Sequence, residues 1–322
     1  MISTTKRRSA FAVPVLLAAL AAAFGVSPAA GASGHDQALE SAACQFSSVD
    51  TLSAFGSAAR GDDAREPALN QVATELPAAA KGKAAKSFRA TIPVYFHVVT
   101  PDGVTGNVSD RAISEQMTVM NFDFGGFEGG YNTGFRFVLA GVDRSVNAEW
   151  FNAGPSSSGE RGMKKALHKG GDNALNWYST TAGIYLGWAY FPDVLKKGNA
   201  YLDGIVVDWE SMPGTSSTYA GRYDLGKTGV HEAGHWVNLH HVFNGGCNNW
   251  GDYVDDTPPQ LIATRGCPEG QDSCKEPGLD SIHNYMDYSY DSCYNQFTAG
   301  QATRMQDQWL FYRADGGTTS GN

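Results

Sequence analysis

The sequence predicts a mixed α/β domain of the α+β kind: a twisted mixed β-sheet with helices packed on it, then a small irregular, disulfide-linked region. Three observations predict it. Runs rich in β-branched and aromatic residues at 92–99, 135–142 and 202–208 alternate with stretches of helical character at 109–121 and 163–178. Four of the five cysteines (Cys247, Cys267, Cys274 and Cys293) cluster in the last quarter of the chain. The 38 glycines call for many turns and irregular loops. With 322 residues and 42% hydrophobic side chains, the chain can fill the core of one large domain or two modest ones.

Taken in order, the chain opens with Lys6, Arg7 and Arg8, an apolar run over 10–24 and the small-residue site Ala30-Gly31-Ala32. That run is too short to span a bilayer comfortably, so residues 1–32 read as a secretory signal. Arg7-Arg8 followed by Phe11 hints at twin-arginine export. Residues 33–86 are rich in alanine and read as a removable pro-segment or linker, with cleavage near Lys86 or Arg89. A folded domain is expected over 87–322, with an upper part at 87–241 and a lower part at 242–322.

Within it, 92–99 is a buried strand whose His97 reads as a core histidine. Ser109 caps a helix running to about Asn121, with Ile113, Met117 and Met120 on one face. A second strand follows at 135–142. Residues 163–178 are helical, broken at Gly170-Gly171, and 202–208 is a further strand. A loop at 211–226 leads to a helix with Thr228 at its N-cap. Thr298 and Gln301 form a capping box that opens a last helix ending near Tyr312.

That next helix carries the chemistry. It reads His231-Glu232-Ala233-Gly234-His235. Histidines four apart on a helix share one face and can bind one metal ion, while Glu232 is placed to take a proton from a metal-bound water. The pentapeptide alone is short enough to arise by chance. A catalytic zinc needs a third protein ligand and an open fourth position. Continuing the helix cannot supply it, because a residue six positions past His235 lies roughly 9 Å further along the axis. The chain must reverse, and Asn238, a residue that tolerates left-handed backbone, sits where the bend is needed. His241 then completes a three-histidine zinc site. His240 is a rival, but one position earlier it points elsewhere.

Removing Lys6, Arg7 and Arg8 with the leader, which carries no acid, takes the formal charge from −9 to −12. Such a chain is a poor nucleic-acid partner. No later stretch is apolar enough for a membrane span, so the product is expected to be soluble and exported. Export favours disulfides, and four cysteines allow three pairings. No Cys-x-x-Cys occurs, which argues against a zinc ribbon. The acidic loop 251–258 offers calcium ligands in Asp252, the Val254 carbonyl and Thr257, or is simply a solvated turn. It does not follow the EF-hand pattern.

A second motif, Asn284-Tyr285-Met286-Asp287-Tyr288, lies 45 residues beyond His241. Paired with His-Glu-x-x-His-x-x-x-x-x-His, it resembles the pappalysin-like branch of the metzincin metallopeptidases. The resembling residues are 228–236, Gly246-Cys247, Asp252 to Pro258, 284–288, Phe297-Thr298 and Arg304-Met305, within a similarity that spans about 90–313. The resemblance implies a metzincin-like catalytic domain with a backing helix and a zinc-binding active-site helix, and a turn that sets Met286 beneath the zinc. It implies disulfides Cys247–Cys274 and Cys267–Cys293, calcium at the Asp252 loop, and a hydrogen bond from Tyr288 to the oxyanion. Two departures stand out. Asn238 replaces the family's usual glycine, and Cys44 lacks the glycine that often follows the cysteine of a latent zymogen.

The expected activity is that of a secreted zinc-dependent endopeptidase, a monomer acting on protein or peptide substrates, with an extended peptide paired to an edge strand of the sheet. Two other classes share the motif. One is a catalytically silent secreted binding protein on the same zinc-containing fold, against which the intact Glu232 argues. The other is a zinc-dependent amidase of a non-protein substrate.

Overall fold

β1 (Ala90–Thr100) is the strand on which the sheet is built. Its alternating residues Ile92, Val94, Phe96 and Val98 are completely buried on one face. The structure, a computed structural model, describes residues 81, 82, 84, 87–248 and 251–314. The signal segment 1–32, nearly all of the segment 33–86, and Cys44 lie outside the described residues.

Among the described residues β1 pairs in parallel with β2 (Phe135–Val146) on one side and β3 (Leu175–Thr180) on the other. β3 pairs in parallel with β5 (Ile205–Asp208), and the short β4 (Gly187–Ala189) closes that edge antiparallel to β5. The spatial order is β2-β1-β3-β5-β4. This is the mixed sheet expected from the sequence.

Helices cover both faces. α1 (Asp110–Phe124) and α4 (Lys227–Trp236) pack on the side to which Ile92, Val94 and Phe96 point, joined there by Met305 and Trp309 of α5 (Ala299–Tyr312). On the other face α2 (Ala148–Phe151) and α3 (Ser158–Leu167) bring Phe151 and Met163 against Val99, Tyr178, Trp188 and Val206. Ser109 caps α1 by accepting from the Ala112 amide, and α5 opens with the full Thr298–Gln301 capping box. Buried His97 is held by Asp143 at 2.9 Å and Asn176 at 3.0 Å.

Two expectations need correction. The helix expected over 163–178 is two elements: α3 ends at Leu167, and Leu175–Thr180 is β3, a central strand buried at every position. A strand covered on both faces has no period-2 alternation, so its apolar run is indistinguishable from a buried helical one. The cap of α4 is Gly226, at φ 82°, not Thr228. No side chain of its own segment caps that helix end; the buried Asp291 carboxylate does, accepting from Leu225 N at 2.8 Å and Lys227 N at 3.4 Å.

Between α4 and α5 the chain is largely irregular. Cys247–Cys274 and Cys267–Cys293 are bonded, the pairing that the resemblance implies. Each closes a loop of 27 or 26 residues, worth about 3.5 kcal/mol in the chain-entropy account.

Candidate active site

α4 is buried along its whole length, so its imidazoles are fixed by packing. Its end is a Schellman motif: Leu239 N donates to Gly234 O at 2.9 Å and Asn238 N to His235 O at 2.8 Å. Asn238 takes the left-handed position at φ 74°. Arg304 Nε, reaching from α5, donates to Asn238 O at 2.9 Å and braces the reversal.

The reversal returns His241 to the helix face. The Nε2 atoms of His231, His235 and His241 form a near-equilateral triangle with sides of 3.1, 3.1 and 3.2 Å. An ion about 2.0–2.1 Å from each of three tetrahedrally disposed nitrogens sets them about 3.3–3.4 Å apart, close to the sides found. Protonation agrees. His231 Nδ1 lies 2.6 Å from Tyr285 O and His235 Nδ1 2.7 Å from Leu239 O, so each Nδ1–H donates to a carbonyl. Both Nε2 atoms are then left with lone pairs facing each other at 3.1 Å. Such an arrangement is repulsive by itself and suits a cation between them. The donor set and geometry fit zinc.

Glu232, the residue after His231, is 1% exposed and lies under β4. A Cβ at Gly187 would fall 2.7 Å from Glu232 Oε1 and 2.7 Å from Val206 O, so only glycine fits where strand and carboxylate meet. Met286 lies directly against α4: a Cβ at Gly234 would come within 2.4 Å of its sulfur. Its turn is shaped by Asn284, whose Oδ1 accepts from Met286 N at 3.0 Å and whose carbonyl accepts from Asp287 N at 3.0 Å. The Tyr288 ring stands 4.9 Å from the His241 ring and 5.8 Å from that of His231.

The sequence profile of the peptidase family described as pregnancy-associated plasma protein-A matches residues 215–309, the stretch holding these groups. An extracellular metalloprotease of Pyricularia oryzae is 44% identical over 86% of this chain and 95% of its own length. The chain belongs to the pappalysin family of metallopeptidases. An extracellular metalloprotease of Arthroderma benhamiae is 43% identical over 84% of this chain and 90% of its own. Mature mirolysin of Tannerella forsythia, solved with a cleaved peptide, is 30% identical, with a TM-score of 0.57 over 68% of this chain and 90% of that one. Mirolysin with a bound compound is 28% identical, with a TM-score of 0.60 over 71% and 93%. Like its family, the chain is a secreted zinc-dependent endopeptidase, and no helix among the described residues is long and apolar enough to cross a membrane.

Beside His231 this pappalysin has a small pocket open to solvent, lined by Glu232, His231, Tyr288, Tyr223, Asp291 and Tyr294. His240 is not part of the triangle. It stacks on Phe191 at 5.2 Å, and burial holds its pKa well below the ordinary histidine range, with the Arg304 charge adding to the effect. In the acidic loop Thr257 Oγ1 lies 2.8 and 2.9 Å from the two Asp252 oxygens and 2.9 Å from Val254 O. One hydroxyl hydrogen cannot serve three acceptors, and burial raises the Asp252 carboxyl to about 7. Two further groups of possible ligands, around Cys267–Cys293 and Cys247–Cys274, consist mainly of disulfide sulfurs.

Three features beside the site had no clear trace in the sequence. β4 has only three residues, too few for a period. Asp291 caps α4 from 64 residues away. Gly187 is one glycine among 38.

Proposed function

We propose that His231, His235 and His241 hold the zinc of this endopeptidase and that Glu232 is its general base. The triangle of three Nε2 atoms, two of them lone pairs fixed outward by carbonyl-bound Nδ1–H groups, carries the reading. Zinc bound there supplies the Lewis acidity that polarises a peptide carbonyl and brings the pKa of a water to about 7. The Glu232 carboxylate takes that water's proton and passes it to the departing amine. Tyr288 donates its hydroxyl hydrogen to the carbonyl oxygen as that oxygen gains charge. β4, the terminal antiparallel strand above Glu232, pairs with the extended substrate backbone.

Asp252, the Val254 carbonyl and Thr257 hold a calcium ion. The gathered oxygens and the buried carboxylate suit a hard cation. Met286 and Asn238 are structural, supporting the triad from below and reversing the chain toward His241. The domain plan is a signal segment at 1–32, a pro-segment at 33–86 and a catalytic domain at 87–322 with subdomains 87–241 and 242–322. The enzyme works as a monomer on protein or peptide substrates, without a nucleic-acid or membrane partner.

Glu232→Ala tests the assignment. Zinc content should stay at one ion per chain while peptide turnover falls by about 10²–10⁴-fold. Turnover within a few-fold of wild type would remove Glu232 from its role, and loss of the zinc would remove the separation between ligands and base.

A further inference from the structure

A single buried carboxylate fastens the edge strand from the face opposite Glu232. Glu160, on α3, is completely buried. Its Oε1 accepts from Trp188 Nε1 at 2.8 Å and its Oε2 from the Tyr190 hydroxyl at 3.0 Å. Trp188 is the middle residue of β4, and Tyr190 follows the strand by one position. Alternate residues of an extended chain share a face. Trp188 and Tyr190 therefore hang together toward α3, while Gly187 meets Glu232 on the other side.

The carboxylate is itself well held. Ser156 N donates to Oε2 at 2.6 Å, and Lys164, one turn along α3 and also fully buried, brings Nζ to 3.2 Å from Oε1. Lys164 Nζ donates to Leu202 O at 2.8 Å and lies 4.4 Å from the centre of the Tyr190 ring. Replacing a buried ion pair by apolar side chains of similar volume is often neutral or stabilising. What Glu160 adds, and apolar packing lacks, is two directional bonds to one short strand.

We propose that Glu160 is a positioning residue for peptide binding: through Trp188 and Tyr190 it fixes the height and pitch of β4, along which the substrate backbone pairs. This rests on the reading of β4 as the substrate-pairing strand. The contact at Gly187 leaves no room for the strand to settle toward Glu232, so the anchor on the far side sets the level at which a peptide is presented to the base.

Two variants test it. Tyr190→Phe deletes one of the two bonds and leaves the buried charges balanced. Glu160→Gln combined with Lys164→Met removes both charges together. Each is assayed zinc-loaded on a peptide of about ten residues, on a blocked substrate too short to pair along β4, and on the longer peptide N-methylated at its pairing positions. KM for the long peptide should rise about tenfold in the charge-free variant and about threefold in Tyr190→Phe. For the short substrate KM should change less than about twofold, and kcat for the long peptide should fall by less than about threefold.

Equal losses on long and short substrates, or a lowered Tm with KM for the long peptide unchanged, would overturn the proposal in favour of a purely structural ion pair. Wild-type enzyme that cuts the N-methylated peptide as well as the plain one would overturn the edge-strand reading itself. Discrimination against N-methylation in the wild type with no KM change in either variant would overturn the role of Glu160 alone.

Discussion

Asn238 stands where the pappalysin pattern usually has glycine, and its backbone sets the position of His241. At φ 74° it pays the left-handed penalty of an L-residue, about 1 kcal/mol for Asn. Its side-chain Nδ2 is buried without a protein hydrogen-bond partner, a further cost of about 1–3 kcal/mol. Asn238→Gly removes both. Against this stand the greater freedom of glycine in the unfolded chain, about 0.4–1 kcal/mol, and some lost packing. The Arg304 bond survives, because it is made to the backbone carbonyl. The net effect should be a stabilisation of about 1 kcal/mol, or about 2–4 °C in Tm for a domain of this size. Asn238→Val should go the other way by more than about 2 kcal/mol and weaken zinc binding, since a β-branched residue is strained at that φ. Thermal unfolding of zinc-loaded protein, with zinc titration alongside, checks both. Equal stability of the Gly and Val variants, or a Gly variant less stable than wild type, would refute the reasoning.

The remaining predictions concern the strand over Glu232, the cap of α4 and the Met286 turn. Gly187→Ala places a Cβ 2.7 Å from Glu232 Oε1 and from the Val206 carbonyl; a displacement of the base should lower kcat/KM by about 100-fold at unchanged zinc content, and steady-state kinetics within threefold of wild type would contradict this. Burial pushes the Asp291 carboxyl from the ordinary 3.8 to about 7. Between about pH 4 and pH 7 the folded chain then keeps a proton that the unfolded chain has released, so this group's contribution is full at low pH and is lost as pH rises toward 7. Asp291→Asn should flatten the fall in unfolding free energy over that window by about one proton, or about 1.4 kcal/mol per pH unit, and an unaltered slope in urea titrations would contradict it. Gly234→Ala sets a Cβ 2.4 Å from the Met286 sulfur and should destabilise by about 1–3 kcal/mol; unchanged urea unfolding would show that the turn yields freely.

What the sequence disclosed and what it hid divides along range. The three histidines and Asn238 lie within eleven consecutive residues, so helical spacing and the need for a left-handed turn were enough to foresee their convergence. The caps at Ser109 and Thr298 are equally local. Leu175–Thr180 was misread because a strand covered on both faces carries no alternation, and a sheet's centre is decided by partners far along the chain. The cap of α4 was misplaced at Thr228 for the same reason: the group that takes the orphan amides is Asp291, far along the chain within the loop that Cys267–Cys293 closes. β4 has no sequence signal at all. Its place follows from antiparallel pairing with β5 and from the Glu160 carboxylate, neither of which three residues can announce.

X-ray absorption at the zinc edge of the purified, matured protein tests the central claim most directly. Three imidazole nitrogens converging on one ion predict one zinc per chain with three nitrogen neighbours at about 2.0–2.1 Å and a light fourth neighbour from solvent. A sulfur neighbour at about 2.3 Å, only two histidine nitrogens, or a chain that matures without zinc would contradict the account.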